Sequence, residues 1–211
     1  PLVRQARAAG ISIISDIDLF MSRADAPVIG VTGTNGKSTV VLLVGHLLQA
    51  SGLRCPVGGN LGVPALALLD SPADVYVLEL SSFQLAHSAH LALASAGVLN
   101  ITDDHRDWHG DLDSYRRAKE RIYVKAEYSV GGRDCARSVS VRVDMSESGA
   151  NRWGVASLNE AQWLICDGTP LIAVSDLPLA GRHNVENCLW AMALVEPWIQ
   201  PRRAAQLLGG F

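Results

Sequence analysis

Residues 33–39 read Gly-Thr-Asn-Gly-Lys-Ser-Thr and follow the apolar run Pro27-Val28-Ile29-Gly30. The pattern predicts a strand, a glycine-rich turn and the start of a helix. Glycines in such a turn let backbone N–H groups curl around an anion, and the helix points its positive end at the same place. Lys37 would supply charge for terminal phosphates and Ser38 a hydroxyl for Mg²⁺. Gly33, Thr34, Asn35, Gly36, Lys37, Ser38 and Thr39 are therefore candidates for holding a nucleoside triphosphate. The loop is shorter than the standard pattern, which has a glycine where this chain has Val31. An ordinary strand-to-helix turn containing Gly-Lys-Ser is the alternative; strand, loop and helix in the required order favour the phosphate reading.

Two further groups belong with that loop. Glu79 closes the apolar run Val75–Leu78, and a carboxylate there is costly unless it is paired or bound to a cation. It is a candidate Mg²⁺ ligand, the alternative being a salt-bridged residue at a sheet edge. Ser81, Ser82 and Gln84 follow it and offer polar groups to the same crevice. The stretch Asp103-Asp104-His105-Arg106-Asp107-Trp108-His109 packs two imidazoles and three carboxylates into seven residues, which suits a metal or a phosphate. Lys119, in Tyr115-Arg116-Arg117-Ala118-Lys119-Glu120-Arg121, reads on its own as a solvated helix lysine. Asn184 and Asn187 are three apart near a helix start, hence on one face, and N-capping alone explains Asn184.

The elements that must position these groups alternate. Helices are expected over 2–9, from Asp16 with Ser15 or Asp16 as cap, and over 37–50, 65–69, 112–125, 184–195 and 201–208. Strands are expected over 11–14, 28–31, 53–57, 75–80 and 96–101, with Gly58-Gly59-Asn60 as a turn. Between 128 and 180, turn signals at Gly131-Gly132, Ser146–Gly149 and Asp167-Gly168 separate short β-like runs, among them 162–166 and 171–174. The result is an α/β fold: a mostly parallel, P-loop-type sheet flanked by helices, with a small β-rich subsection. Ligands collect at the carboxyl ends of such strands. Residues 1–26 read as a linker or the tail of a preceding domain, and 27–211 as the main domain.

Composition narrows the function classes. The 211 residues are 48% hydrophobic and 18% charged, with a formal net charge of −3. That balance fits a globular chain and argues against a general basic field for nucleic acid. No apolar run reaches the roughly 18 residues of a membrane span, and no leader opens the chain, so a cytoplasmic monomer is the expectation. Cys55, Cys135, Cys166 and Cys188 form no Cys-x-x-Cys pair and read as reduced thiols. Neither end resembles a natural terminus, so a piece of a longer protein is expected.

Several blocks then coincide in order: Gly33–Thr39, Gly58-Gly59-Asn60, Glu79-Leu80-Ser81-Ser82-Phe83-Gln84-Leu85, Asn100-Ile101-Thr102-x-Asp104-His105-x-Asp107, Tyr115-x-x-Ala118-Lys119 and Gly181-x-His183-Asn184-x-x-Asn187. Together they resemble the central domain of the ATP-dependent Mur ligases, a family that also includes folylpolyglutamate synthase. The resemblance covers about 27–211, and the Glu-Leu-Ser-Ser-Phe-Gln-Leu block points to the branch that adds D-glutamate. It implies a three-domain enzyme of cell-wall precursor synthesis whose flanking domains lie outside this chain. Its substrates would be UDP-N-acetylmuramoyl-L-alanine and D-glutamate, joined through an acyl phosphate with ATP and Mg²⁺. Lys37 would contact the β- and γ-phosphates, Ser38 and Glu79 the first Mg²⁺, and His105 the second. Lys119 matches the family lysine that reacts with CO₂ to become a carbamate and a metal ligand. Asn60, Ser81 and Gln84 would touch the muramoyl-alanine end, and Asn184 and Asn187 would face adenine. After the strand near Val124–Val130 the family usually has an Asn-Ala-Asp-Asp type of turn; this chain has Gly131-Gly132-Arg133-Asp134. Other classes compatible with the loop are a P-loop ATPase or switch and a non-catalytic nucleotide-binding module. Neither an Asn-Lys-x-Asp nor a Leu-Ser-Gly-Gly-Gln signature occurs.

Overall fold

A computed structural model describes residues 2–11, 13–132, 135–145 and 152–211. Two helices, α1 (Leu2–Ala8) and α2 (Asp16–Met21), precede the first strand, β1 (Val28–Thr32). The rest alternates: α3 (Lys37–Ala50), β2 (Val57–Gly59), β3 (Tyr76–Glu79), α4 (Ser82–His87), β4 (Ser95–Val98), α5 (Arg106–His109), α6 (Leu112–Glu120), β5 (Tyr128–Gly132) and β6 (Val141–Asp144). Three strands, β7 (Trp153–Leu158), β8 (Ala161–Cys166) and β9 (Thr169–Ala173), lead to α7 (Arg182–Leu194) and α8 (Pro201–Leu208).

The nine strands form one sheet in the order β2-β3-β1-β4-β5-β6-β7-β8-β9. Pairing is parallel from β2 to β7 and antiparallel from β7 to β9. The antiparallel strands are the β-rich subsection expected from the turn signals. Side chains alternate across β1 and β3 with the period of two that a pleated strand imposes. Ile29, Val31 and Val77 join a core with α3, α7 and α8. Val28, Tyr76 and Leu78 join a second core on the other face, with Phe20 of α2 and Ile122. Covering both faces explains why these strands read as continuous apolar runs.

Four local expectations are corrected. Residues Ile11, Ile13 and Ile14 form no strand; all three are exposed, so the run buries no apolar face. The strand expected over 53–57 starts only at Val57, because Pro56 has no N–H to donate and Arg54 is turned toward Asp74 by a two-point ion pair. Gly58 and Gly59 are therefore strand, not turn. Gly131 and Gly132 likewise end β5 rather than turn the chain: a Cβ on Gly131 would stand 3.0 Å from Cys135 and Val139. Arg133, Asp134 and the turn signal Ser146–Gly149 lie outside the described residues. Helices α4 and α5, too short to show periodicity, were not expected.

One polar latch ties α2 to the loop between α4 and β4. Asp18 is buried and accepts from the Ser15 amide and hydroxyl (3.1 and 2.9 Å) and from the amides of Ala89 and His90 (both 2.8 Å). These bonds hold its carboxyl below the ordinary value against the opposing effect of burial. Asp18→Ala strands those donors and is expected to cost about 2–3 kcal/mol, read as a lower urea midpoint with unchanged slope. The contribution is present above the unfolded carboxyl pKa and disappears as pH falls through the lower folded value.

Candidate active site

The site lies at the carboxyl ends of β1, β3 and β4. There the strand order reverses on either side of β1, so the loops diverge and leave a crevice. The loop 33–36 runs from β1 into α3, and Gly36 caps the helix at φ 82°. A side chain at Gly36 would be strained in that conformation, and its Cβ would stand 2.7 Å from Asn187 Oδ1. Helix α7 therefore reaches the loop. Asn187 is buried and donates to Asn184 Oδ1 at 3.2 Å, while Asn184 donates to the Ala180 carbonyl at 2.8 Å. Asn184 is not the N-cap; Gly181 is.

At the mouth of the loop, Ser38 donates to Glu79 Oε2 at 2.7 Å and Asn60 donates to Glu79 Oε1 at 2.9 Å. Glu79 is only 3% exposed. Gly59 makes the approach of β2 possible: at φ 102° it lies against the Glu79 carbonyl, where a Cβ would collide. Lys37 folds back onto its own loop and donates to the Thr34 carbonyl at 2.9 Å.

Behind the loop, Lys119 is 2% exposed, which corrects its reading as a solvated lysine. Its ammonium donates to the Gly33 carbonyl at 2.8 Å and lies 4.6 Å from the centre of the Tyr115 ring. Burial, and then the charge of Lys37, depress its pKa to about 7, against the opposing pull of Asp104 and Glu79. Tyr115 also touches Thr34 Oγ1 at 3.3 Å and lies 6.0 Å, ring to ring, from His105. His105 has a positive φ of 50° and its Nε2 is 3.6 Å from Asp104. Phe83 packs on His105, Trp108 and His109, and His109 hydrogen-bonds Ser82 at 3.0 Å. Burial and the neighbouring His105 and Lys119 push the His109 pKa down.

Ser81 and Gln84 take another role here. They form a reciprocal capping box on α4, with the Ser81 amide and hydroxyl donating to Gln84 Oε1 and the Gln84 amide donating to Ser81 Oγ. Two residues that the sequence motifs contain but give no role belong to the site: Tyr115, which links Thr34, His105 and Lys119, and Asn100, which holds the loop backbone. Beside the loop is a cavity of about 220 Å³ lined by Asn35, Gly36, Asn187 and Trp190. It adjoins a larger one of about 560 Å³ between α6 and α7, with which it shares Leu99, Asn100 and Glu186.

Among the described residues, no three His, Cys, Asp or Glu side chains gather as a ready-made metal cage. The oxygens of Ser38 and Glu79 nevertheless fit Mg²⁺, which is held by one or two protein oxygens plus phosphates and water. No helix of the described residues is long and apolar enough to cross a membrane.

Residues 31–195 match the model of the Mur ligase middle domain. The chain is 43% identical over 211 residues to UDP-N-acetylmuramoylalanine–D-glutamate ligase of Salmonella paratyphi A, covering 97% of this chain and 48% of that protein. The enzyme of the same name from Sodalis glossinidius is 45% identical over 200 residues, covering 92% and 46%. The chain thus spans about half the length of the curated relatives it matches. Among solved structures, a UDP-N-acetylmuramoyl-L-alanyl-D-glutamate–2,6-diaminopimelate ligase superposes with a TM-score of 0.73 at 22% identity, covering 95% of this chain and 52% of that one. The UDP-N-acetylmuramate–alanine ligase of Thermotoga maritima gives 0.70 at 20% identity, covering 100% and 51%. Likeness at that identity speaks for the fold.

Proposed function

The chain belongs to the Mur ligase family, and on that premise we propose that residues 27–211 are the central ATP-binding domain of a ligase that adds D-glutamate to UDP-N-acetylmuramoyl-L-alanine. Such a reaction takes place in the cytoplasm and supplies peptidoglycan precursors for wall growth and division. The observation that carries this reading is the convergence of Ser38, Glu79 and Asn60 at the mouth of the loop, with Lys119 buried behind it.

A carboxylate is a poor electrophile, and its charge repels a phosphoryl donor. Bound ATP with Mg²⁺ would supply the phosphoryl group that makes it an acyl phosphate; the D-glutamate amine then attacks the acyl carbon, the C–N bond forms, and inorganic phosphate leaves with the amine's proton. The chain's own part is positional. The start of α3 presents amides to the phosphates, and Lys37 exchanges the Thr34 carbonyl for a phosphate oxygen. Ser38 and Glu79 would hold one Mg²⁺ through their oxygens, and His105 would hold a second through its imidazole. Lys119, with its amine half neutral near pH 7, reacts with CO₂, losing a proton and gaining an anionic oxygen where an ammonium would repel the cation. Asn187 borders the cavity that would take adenine, and Asn184 holds the Asn187 amide from behind. Asn60, Ser81 and Gln84 flank the acceptor side; Ser81 and Gln84 would contribute through their helix end, since they satisfy each other.

The test uses the full-length enzyme with ATP, Mg²⁺ and UDP-N-acetylmuramoyl-L-alanine. Phosphate release is expected to require D-glutamate and to be near background with L-glutamate or other L-amino acids. Release driven instead by an L-amino acid, or by a folate acceptor, would reassign the chain within the family.

A further inference from the structure

Asn100 stands just past β4 and grips the first half of the loop at four points. Its side-chain Oδ1 accepts from the amides of Thr34 (3.1 Å) and Asn35 (2.8 Å). Its Nδ2 donates to the Asn35 carbonyl at 3.0 Å, and its own carbonyl accepts from the Thr34 amide at 2.9 Å. One amide side chain thus pairs with both backbone groups of Asn35. Two residues further on, the Thr102 amide donates to Thr34 Oγ1 at 3.1 Å, closing a second clamp.

The consequence concerns which amides meet the anion. In a glycine-rich loop all the N–H groups are candidate phosphate donors. Here those of Thr34 and Asn35 are already committed to Asn100. Among the amides not committed to Asn100 are those opening α3, which have no partner within their own helix. The segment that clamps the loop also carries His105 five residues later.

We infer that Asn100 is a positioning residue that pre-sets the loop for a polyphosphate, so that the anion is met by α3 amides without the backbone having to be ordered on binding. The inference rests on the nucleotide reading of the same site. Asn100 also lines the cavity beside the loop, but the role inferred here runs through its bonds to the loop backbone.

The test compares wild-type, Asn100→Ala and Asn100→Asp forms of the full-length ligase. Alanine removes the side-chain clamp. Aspartate keeps an acceptor for the two amides, but it sets an oxygen against the Asn35 carbonyl and adds negative charge near the phosphates. Binding of ATP and of tripolyphosphate is expected to weaken by about tenfold in the alanine variant and by more in the aspartate variant, with adenosine binding weakened by clearly less. Hydrogen exchange adds a readout independent of activity: the Thr34 and Asn35 amides should lose protection in the alanine variant, while β1 and α3 keep theirs. Three outcomes would overturn the inference. Binding of tripolyphosphate within twofold of wild type in both variants is one. Equal losses for adenosine and tripolyphosphate, the mark of general collapse, is another. If wild-type enzyme binds neither ATP nor tripolyphosphate, the nucleotide reading itself falls and takes this role with it.

Discussion

Lys119→Ala is expected to reduce ligation by at least about 10²–10³-fold, with ATP binding much less affected. The size follows from what is removed: a buried group behind the loop that would supply a metal-facing oxygen once carbamylated. Short carboxylic acids added to the variant should restore part of the rate by placing an oxygen in the vacated space. In the wild-type enzyme, carbon-13 NMR with labelled bicarbonate should show a carbamate signal that Lys119→Ala lacks. Its formation needs the neutral amine, so the signal should grow as pH rises through about 7. Stability carries the matching sign. The folded pKa is below the unfolded value of 10.5, so the unfolded chain binds more protons above pH 7 and this lysine's contribution to stability improves with pH there. An alanine variant that ligates at the wild-type rate, with no carbamate in either protein, would remove Lys119 from the mechanism.

Lys37→Ala is expected to lower kcat/KM for ATP by about 10³-fold. Lys37 is held at 2.9 Å by Thr34, inside the loop it is meant to serve, so its charge is already positioned before any anion arrives. Its removal also takes away a positive charge that pushes the Lys119 pKa down. The variant should therefore show two effects: weak ATP binding by titration calorimetry, and a carbamate signal that needs a higher pH to appear. Loss of ATP affinity without the second effect would separate the two lysines electrostatically; unchanged ATP affinity would contradict the phosphate role.

The parts of this site that were legible in the sequence are those set by backbone chemistry. Gly36 must adopt a left-handed conformation, and helix α3 spans Lys37–Ala50 as its periodicity indicated. Glu79 stood out because a carboxylate ended an apolar strand. Lys119 was not legible from its surroundings, because Arg116, Arg117, Glu120 and Arg121 make the segment look solvated; only the packing of α6 against the loop buries it. The family resemblance picked it out where polarity could not. Asn100 was visible only as a letter in a motif, since its partners are backbone atoms 65 and 66 positions away. Ser81-x-x-Gln84 carried a capping-box pattern, a local signal that the substrate reading passed over. Strand β2 was misplaced because apolar character does not reveal that a proline has no donor.

Glu196, just beyond α7, binds the Tyr128 hydroxyl at 2.6 Å, the Trp153 indole at 3.0 Å and the Arg152 guanidinium. It rivets β5 to the first strand of the antiparallel extension. The hairpin tip at Asn159 and Glu160, both in left-handed backbone, projects from that rivet as an exposed outcrop. Insertions there would be borne by the outcrop alone, which makes this corner of the molecule the natural place for lineages to diverge, or for an engineer to splice in a label, without disturbing the parallel strands that hold the chemistry.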